Sequence, residues 1–333
     1  MRTPILLTAL TIVAACRSHT NAPQPEQHGS AKVRSLAARY IADRPYATPV
    51  TARGDTLLLF LDTGGGANML YPQALERAGM RAEWVREDGD SVQLAQLPAF
   101  SVGAWIPLPG AASPTGERLM VVPPQSSSKD AGDGMLGRTW FANRVWRLDY
   151  LAHTLTLVRD ESPATATTHD ARDAHRVPLG FQLDSAGQRT THFPRVRVEV
   201  AGDSLDLLLD TGATVDLTDA AWATLRDDGA PRERGTSFIV QSVFERWRRE
   251  HPDWRVIEHA DHASDMPMIQ VRELRVGGHV VGPAWFTMRP DKNFHEFMSQ
   301  WMDRPVDGAL GGSVLRNFRV TLDYPGATAT FER

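Results

Sequence analysis

The sequence predicts a mainly β protein made of two similar lobes with few short helices. Three observations predict it. Apolar residues alternate in short runs bounded by turn residues, helical periods are few, and one pair of sequence elements occurs twice in the same order.

The repetition fixes the organisation. Residues 53–64 read RGDTLLLFLDTG and residues 201–212 read AGDSLDLLLDTG, 148 positions apart without a gap, with 8 of 12 positions identical. Residues 133–157 read DGMLGRTWFANRVWRLDYLAHTLTL and residues 307–331 read DGALGGSVLRNFRVTLDYPGATATF, now 174 apart, with 10 of 25 identical. Two collinear matches in one order indicate an internal duplication. The offsets differ by 26, so the second copy carries about that many extra residues between its two elements.

In chain order, Met1-Arg2 and the apolar run Ile5 to Ala15 have the anatomy of a secretory signal over residues 1–15, too short to span a bilayer as a mature helix. The run closes on Val13-Ala14-Ala15-Cys16, and Cys16 is the single cysteine, which excludes an internal disulfide framework and a Cys-rich zinc site. That ending resembles the lipobox of bacterial lipoproteins. The resemblance implies a lipidated Cys16, a cell-envelope location and membrane contact through the lipid alone. Arg17, rather than Asp, after the cysteine implies the outer membrane. The other reading is an ordinary signal peptide that contains a cysteine, with a secreted product. Residues 17–32 are polar and read as flexible, and the tether is taken over residues 16–45.

The first lobe is assigned to residues 46–158. Leu57, Leu59 and Leu61 alternate into the first Asp-Thr-Gly, and Pro72 to Ala78 carries a helical signal. Asp88-Gly89-Asp90, between Val85 and Val92, reads as a hairpin tip. The segment 159–176, with Ser162-Pro163-Ala164-Thr165, reads as an exposed linker. The second lobe is assigned to residues 177–333. Val196, Val198 and Val200 alternate before a turn, Asp219 to Leu225 is a helical signal, and Ile269 to Val281 reads as strands turning at Gly277-Gly278. Within the expansion, residues 236–251 read as one amphipathic helix on Ile239, Val243 and Trp247, stopped by Pro252. It is read as packed on the lobe surface, with a lid over a cleft as the sharper alternative.

The overall balance limits the function. A hydrophobic content of 42%, 23% charged residues and a formal charge of -4 fit a globular protein with no basic face, so nothing points to nucleic acid. His259-Ala260-Asp261-His262, the His169, Asp170 and His175 group, and His295-Glu296 lack a metal-binding frame and read as solvated surface residues. No metal and no cofactor is expected. Gly312-Ser313 is not a nucleophile elbow, because Leu315 stands where glycine is needed. Gly64-Gly65-Gly66 is not a phosphate loop, because no Gly-Lys-Ser/Thr follows it.

The chemistry lies in the duplicated Asp-Thr-Gly. A carboxylate directly after Leu-Phe-Leu or Leu-Leu-Leu is costly to bury without a partner. One such site can be a simple turn. Two, each ending the same apolar strand of a duplicated unit, can be brought face to face by a two-fold relation. Carboxyls about 3 Å apart cannot both ionise, so they share a proton, one acting as base on water and the other as donor to a carbonyl.

On these elements the chain resembles the pepsin and retropepsin group of aspartic peptidases. Asp62-Thr63-Gly64 and Asp210-Thr211-Gly212 match the group's first element in each lobe, and Met135-Leu136-Gly137 and Ala309-Leu310-Gly311 match its second. The likeness runs from about Val50 to Phe331. It implies a bilobal fold of two pseudo-two-fold related, retropepsin-like closed β-barrel lobes with a cleft between them. It also implies an aspartic endopeptidase with Asp62 and Asp210 as the catalytic dyad, acting on a peptide or protein substrate. Thr63 and Thr211 would hydrogen-bond across the two loops. Gly64 and Gly212 would let the backbone approach the carboxyls, and Gly137 and Gly311 would leave room behind each loop. With both halves in one chain, a monomer suffices.

Three departures are visible. Gly65 and Ala213 follow the two motifs, where pepsins carry Ser or Thr; Ala is the retropepsin-like residue, and Gly65 implies a looser first loop and a less symmetric dyad. No tyrosine stands where a pepsin-type flap would carry one. A glycine-tipped flap at residues 88–90, with a counterpart near Gly229 or Gly235, is the retropepsin-like arrangement. These departures keep a second reading open, a non-catalytic peptide- or protein-binding envelope lipoprotein that retains the fold.

Overall fold

The alternating leucines before each Asp-Thr-Gly bury one face of the chain as it runs into the motif, while Leu58 and Phe60 between them in the first lobe are half-buried. In a computed structural model, which describes residues 33–87, 90–124, 132–160, 175–225 and 230–333, Leu57, Leu59 and Leu61 are fully buried, as are Leu207 and Leu209. The signal segment, Cys16, residues 161–174 of the linker, the Asp88-Gly89 tip and Gly229 lie outside the described residues.

The protein is mainly β and bilobal. In the first lobe the sheet runs, in spatial order, Ala38–Ile41, Arg44–Ala47, Leu59–Leu61, Gly134–Leu136, Met69–Leu70, Leu119–Val121, Asp90–Ala95 and Ala82–Glu87. In the second lobe it runs Val256–Ile257, Met268–Val271, Ala284–Arg289, Ser237–Val240, Gly308–Leu310, Asp203–Leu209, Arg195–Val200, Leu274–Val276 and His279–Val281. In each lobe the strand that ends in Asp-Thr-Gly lies parallel to the strand that ends in Leu-Gly. Leu61 stands opposite Leu136, and its counterpart Leu209 opposite Leu310. A strand from the intervening segment closes the other side of the Leu-Gly strand in antiparallel sense, Met69–Leu70 in one lobe and Ser237–Val240 in the other.

A third sheet joins the lobes, ordered Arg34–Leu36, Thr154–Arg159, Val145–Asp149, Arg319–Asp323, Thr328–Glu332 and Arg176–Pro178. Its two central strands are the duplicate copies of one another. They pair antiparallel with Val145 opposite Asp323, Arg147 opposite Thr321 and Asp149 opposite Arg319. Arg147 and Thr321 are themselves equivalent positions of the repeat. The register therefore places a pseudo-two-fold axis between them, and the duplication seen in sequence is a rotation in space. Each strand ends in an aspartate that holds the following turn. The Asp149 carboxylate accepts the N–H of Ala152 at 2.8 Å, and that of Asp323 accepts the N–H of Gly326 at 2.7 Å.

Residues 34–45 form strands rather than the expected flexible tether. Arg34–Leu36 pairs with Thr154–Arg159, and Ala38–Ile41 turns back on Arg44–Ala47. Arg44 and Tyr46 are buried, so this segment completes both sheets. The expansion also differs from the single helix expected over 236–251. Ser237–Val240 is a strand paired with Ala284–Arg289, and the helix begins at Gln241 and ends at Glu250. Ile239 and Val240 are β-branched and complete a buried sheet, which overrides the helical period. Val243, Phe244 and Trp247 seat the helix on the lobe, with the Trp247 ring edge-on to Phe286 at 5.7 Å. A wide helical turn, Lys292–Met298, continuing into a 3₁₀ turn, Ser299–Trp301, was not anticipated.

Candidate active site

Each Asp-Thr-Gly loop leaves the end of its strand under the same constraints. The Asp62 N–H donates to the Leu136 carbonyl at 3.0 Å, and the Asp210 N–H to Leu310 at 2.9 Å. The two threonines then tie the loops together. Thr63 Oγ1 donates to the Leu209 carbonyl at 2.7 Å and accepts the Thr211 N–H at 3.0 Å. Thr211 Oγ1 donates to the Leu61 carbonyl at 2.7 Å and accepts the Thr63 N–H at 3.1 Å. Both side chains are buried, and all four bonds obey the two-fold relation of the shared sheet.

This cross-tie sets the two carboxyls against one another. The Gly64 N–H donates to Asp62 Oδ1 at 2.9 Å, and the Gly212 N–H donates to Asp210 Oδ1 at 2.9 Å. A Cβ on Gly64 would stand 2.6 Å from the Asp210 carboxyl carbon, and one on Gly212 would collide with the Asp62 carboxyl. Glycine is required at both positions by the opposite loop's aspartate. Each carboxyl thus faces the opposite loop's glycine, and the two act on one another electrostatically.

Their surroundings favour one bound proton. Burial pushes the Asp62 carboxyl well above the usual carboxylate range, and the charge and hydrogen bond of Asp210 push it further, against the N–H groups of Gly64 and Gly65. Burial also raises Asp210, opposed by its hydrogen bond to Asp62 and by the N–H groups of Gly212, Ala213 and Gly64. Burial of two carboxyls side by side favours a pair that holds one proton in common.

Gly65 has a local cause. A Cβ there would lie 2.9 Å from Met135 Cε and 3.0 Å from Asp62 Cγ. The second copy has Ala213 after its Asp-Thr-Gly and Ala309 where the first has Met135. A large residue in the Leu-Gly strand therefore goes with glycine in the loop, and a small one with alanine. The first loop is held by the Gly65 N–H to the Asp62 carbonyl at 3.1 Å, and by the Arg138 N–H to the Gly65 carbonyl at 3.0 Å. Gly137 and Gly311 close the backs of the loops. A Cβ on Gly137 would stand 2.5 Å from the Ala67 carbonyl oxygen, and one on Gly311 would collide with the Thr236 carbonyl oxygen.

A matched set of polar groups was not found by sequence reasoning. The Gly137 N–H donates to Asn68 Oδ1 at 2.9 Å, and Asn68 Nδ2 donates to Thr139 Oγ1 at 2.9 Å. In the second lobe the Gly311 N–H donates to Ser237 Oγ at 3.0 Å, which pairs with Ser313 Oγ at 2.9 Å. Thr139 and Ser313 are equivalent positions of the repeat, and that alignment was the available signal. Ser313 is thus a buried brace.

Beside the dyad opens a cleft pocket of about 400 Å³ lined by Gly64, Leu208, Asp210, Phe238, Arg289, Asn293, Phe294, Phe297 and Met298. Its wall is the unanticipated helical turn. Besides Asp210, the wall carries Arg289, which pairs with Asp261 at 3.1 Å and lies over the Phe238 ring at 4.1 Å. On either side of the Asp88-Gly89 tip, Ala82–Glu87 and Asp90–Ala95 pair as an antiparallel hairpin. Gly235 is not a flap tip. It pairs with Thr214, and a Cβ there would stand 2.8 Å from the Asp43 carbonyl oxygen. Among the described residues no group of three or more His, Cys, Asp or Glu side chains is placed to hold a metal ion. His259 instead pairs with Asp265 at 2.9 Å and His295 with Asp307 at 3.1 Å. No helix among the described residues is long and apolar enough to cross a membrane.

No protein-family model matches the chain, and no curated protein matches it. Among solved structures, the chain is similar to an aspartic proteinase from Irpex lacteus, at 11% identity and a TM-score of 0.46, over 90% of this chain and 97% of that one.

Proposed function

We propose that the protein is an aspartic endopeptidase in which Asp62 and Asp210 share one proton. The observation that carries this reading is the symmetric cross-tie of the two loops, which holds two carboxyls together. In the singly protonated pair, the ionised carboxyl takes a proton from a water, and that water attacks the peptide carbonyl carbon. The other carboxyl gives its proton to the carbonyl oxygen. Collapse of the tetrahedral species then breaks the C–N bond, with the proton taken from water passing to the leaving amine. Thr63 and Thr211 keep the pair rigid, and Gly64 and Gly212 supply N–H groups to the ionised form. The pocket beside Asp210 takes an apolar side chain of the substrate. No second subunit is needed, and the active form is a monomer.

Peptide cleavage across pH, with and without pepstatin, tests the proposal. Asp62→Asn and Asp210→Asn are each expected to lower kcat by at least about 10²–10⁴-fold, the usual worth of acid–base catalysis. Activity surviving either change would sink the mechanism. A peptide bound tightly at every pH but never cut would favour a binding module. We also propose that Cys16 is lipidated and that the protein is anchored in a bacterial envelope. Labelling with a fatty-acid probe that persists in Cys16→Ala contradicts this.

A further inference from the structure

Among the described residues, two arginines near the site, Arg138 and Arg189, have no carboxylate at ion-pairing distance. Arg138 follows Gly137, and its Nη1 donates to the carbonyl of Gly66, an exposed residue of the first Asp-Thr-Gly loop. Its guanidinium lies over the ring of Phe193, from the other lobe, at 4.3 Å. Arg189, on the same second-lobe loop as Phe193, lies over Phe181 at 4.0 Å. Among the described residues neither arginine has an acidic group at ion-pairing distance. About half of the other described arginines have one, including Arg195 with Asp303 at 2.7 Å and Arg319 with Asp149 at 2.8 Å. Asp323 acts on Arg189 only from a distance, and is itself paired with Arg159 at 3.4 Å.

His192 lies three residues after Arg189 and feels the charge of both arginines. Its Nδ1 and Arg138 Nε are enclosed without a hydrogen-bond partner among the described residues. Burial, with the charges of Arg189 and Arg138, pushes the imidazole down to about 4, so it is neutral at physiological pH and leaves the arginines as the cations. Burial also lowers both guanidinium groups, the mark of cations held part-way from water with too little negative charge beside them. The loop is fixed at the cleft. Thr191 Oγ1 donates to the Trp301 carbonyl at 2.7 Å, at the end of the helical turn that walls the pocket beside Asp210. Arg138 thus meets the Gly64-Gly65-Gly66 segment whose Gly64 lines the apolar pocket, and Arg189 stands in the loop that Thr191 ties to the end of the pocket's helical wall.

We propose that Arg138 and Arg189 form a carboxylate-binding subsite that selects peptides with an acidic side chain or a free C-terminus beyond the residue held in the apolar pocket. Arginine's planar fork suits a carboxylate, and a bound carboxylate supplies the counter-charge that the protein lacks there. The inference rests on the reading of the cleft as a peptide-cleaving site, and it can fail separately.

The test uses the full chain and quenched-fluorescence peptides of one apolar core. Glu, Gln or Lys is placed in turn at each flanking position, and the C-terminus is either free or amidated. The expected result is a preference of about 10-fold or more in kcat/KM, the worth of one charge-assisted hydrogen bond. It appears for Glu over Gln at one position if the ligand is a side chain, or for free over amidated ends if it is the terminus. Arg138→Gln and Arg189→Gln each bring that ratio toward one, and Arg138→Lys keeps part of it. Circular dichroism checks that each variant folds. Equal rates for Glu, Gln and Lys throughout, and for both kinds of terminus, overturn the subsite while leaving the peptidase reading intact. If no peptide is cut, that reading fails instead, and anisotropy of the same peptides, labelled, on Asp210→Asn decides the subsite. A Glu or free-carboxylate preference that Arg138→Gln removes supports it, and equal affinities overturn it.

Discussion

Gly65 and Met135 exclude one another's growth, and this can be tested by exchange. Gly65→Ala puts a methyl 2.9 Å from Met135 Cε and 3.0 Å from the Asp62 carboxyl carbon. Overpacking of this kind costs about 1–3 kcal/mol, and here it also presses on the Asp62 carboxyl. Gly65→Ala is expected to lower both the urea midpoint and kcat, and Gly65→Ala with Met135→Ala to recover much of both, since the pair then matches Ala213 and Ala309. A double variant no better than the single one removes the size explanation. The dyad has its own stability signature. Both carboxyls are raised on folding, chiefly by burial. A group so raised contributes stability that is fully present below its unfolded pKa and is lost as pH rises through the native value. Asp62→Asn removes one of the coupled pair, so it should stabilise the protein at neutral pH and change it little near pH 3, below the unfolded value of about 3.9. Denaturation midpoints at the two pH values check this, and a variant weaker than wild type at neutral pH contradicts it. Asp62 and Asp210 were legible in the sequence because a charge ending an apolar strand, twice, has little other explanation. Asn68 and Ser237 were not, because a lone polar residue carries no pattern until the Gly137 and Gly311 N–H groups it satisfies are located.

The elements were legible where one periodicity prevailed and illegible where two competed. Helices Pro72–Ala78 and Asp219–Leu225 fall where their signals stood. Thr236 to Val240 carried a helical period, but its β-branched residues were claimed by a buried sheet. Phe294, Phe297, Met298 and Trp301 do have helical spacing, yet the run is short and its residues face a cleft as much as a core. These two segments of the expansion are expected to behave oppositely. Trp247 is fully buried under helix Gln241–Glu250 and away from the dyad pocket. Trp247→Ala should cost about 3–5 kcal/mol of stability, with unchanged kcat for the molecules that remain folded. Phe297 is 66% exposed at the pocket wall, so Phe297→Ala should leave stability nearly unchanged. It should lower kcat/KM for substrates with a bulky apolar residue by roughly 10-fold, the lower end of what pocket contacts discriminate. Denaturant titration and steady-state kinetics on both variants separate the roles. A kinetic defect in Trp247→Ala alone would return the helix to the lid reading.

At the scale of the molecule, the two-fold relation was readable as a repeat, but its physical form was not. Nothing in the alternating residues of 145–149 and 319–323 says that they pair with each other, because antiparallel partners are set by tertiary context and not by either strand alone. That pairing decides how the protein unfolds. The lobes share a six-stranded sheet whose central contact is the Val145–Asp149 and Arg319–Asp323 pair, with Asp149 bound to Arg319 at 2.8 Å across it. At the other end of the axis the four threonine hydrogen bonds join the loops. Separating the lobes would strip both central strands of a partner and leave buried hydrogen-bonding groups unpaired, a cost of about 1–3 kcal/mol for each group. The chain beyond Val33 should therefore unfold in one transition, with tryptophan fluorescence and far-ultraviolet circular dichroism following the same curve. Two separated transitions would mean that each lobe is stable alone. Fragments 33–160 and 175–333 sharpen the test. Each ends the shared sheet in an exposed apolar edge and carries one aspartate, so neither should unfold cooperatively or cleave peptide. Activity should return, if at all, only when the two are refolded together, in proportion to the 1:1 complex that restores the threonine cross-tie.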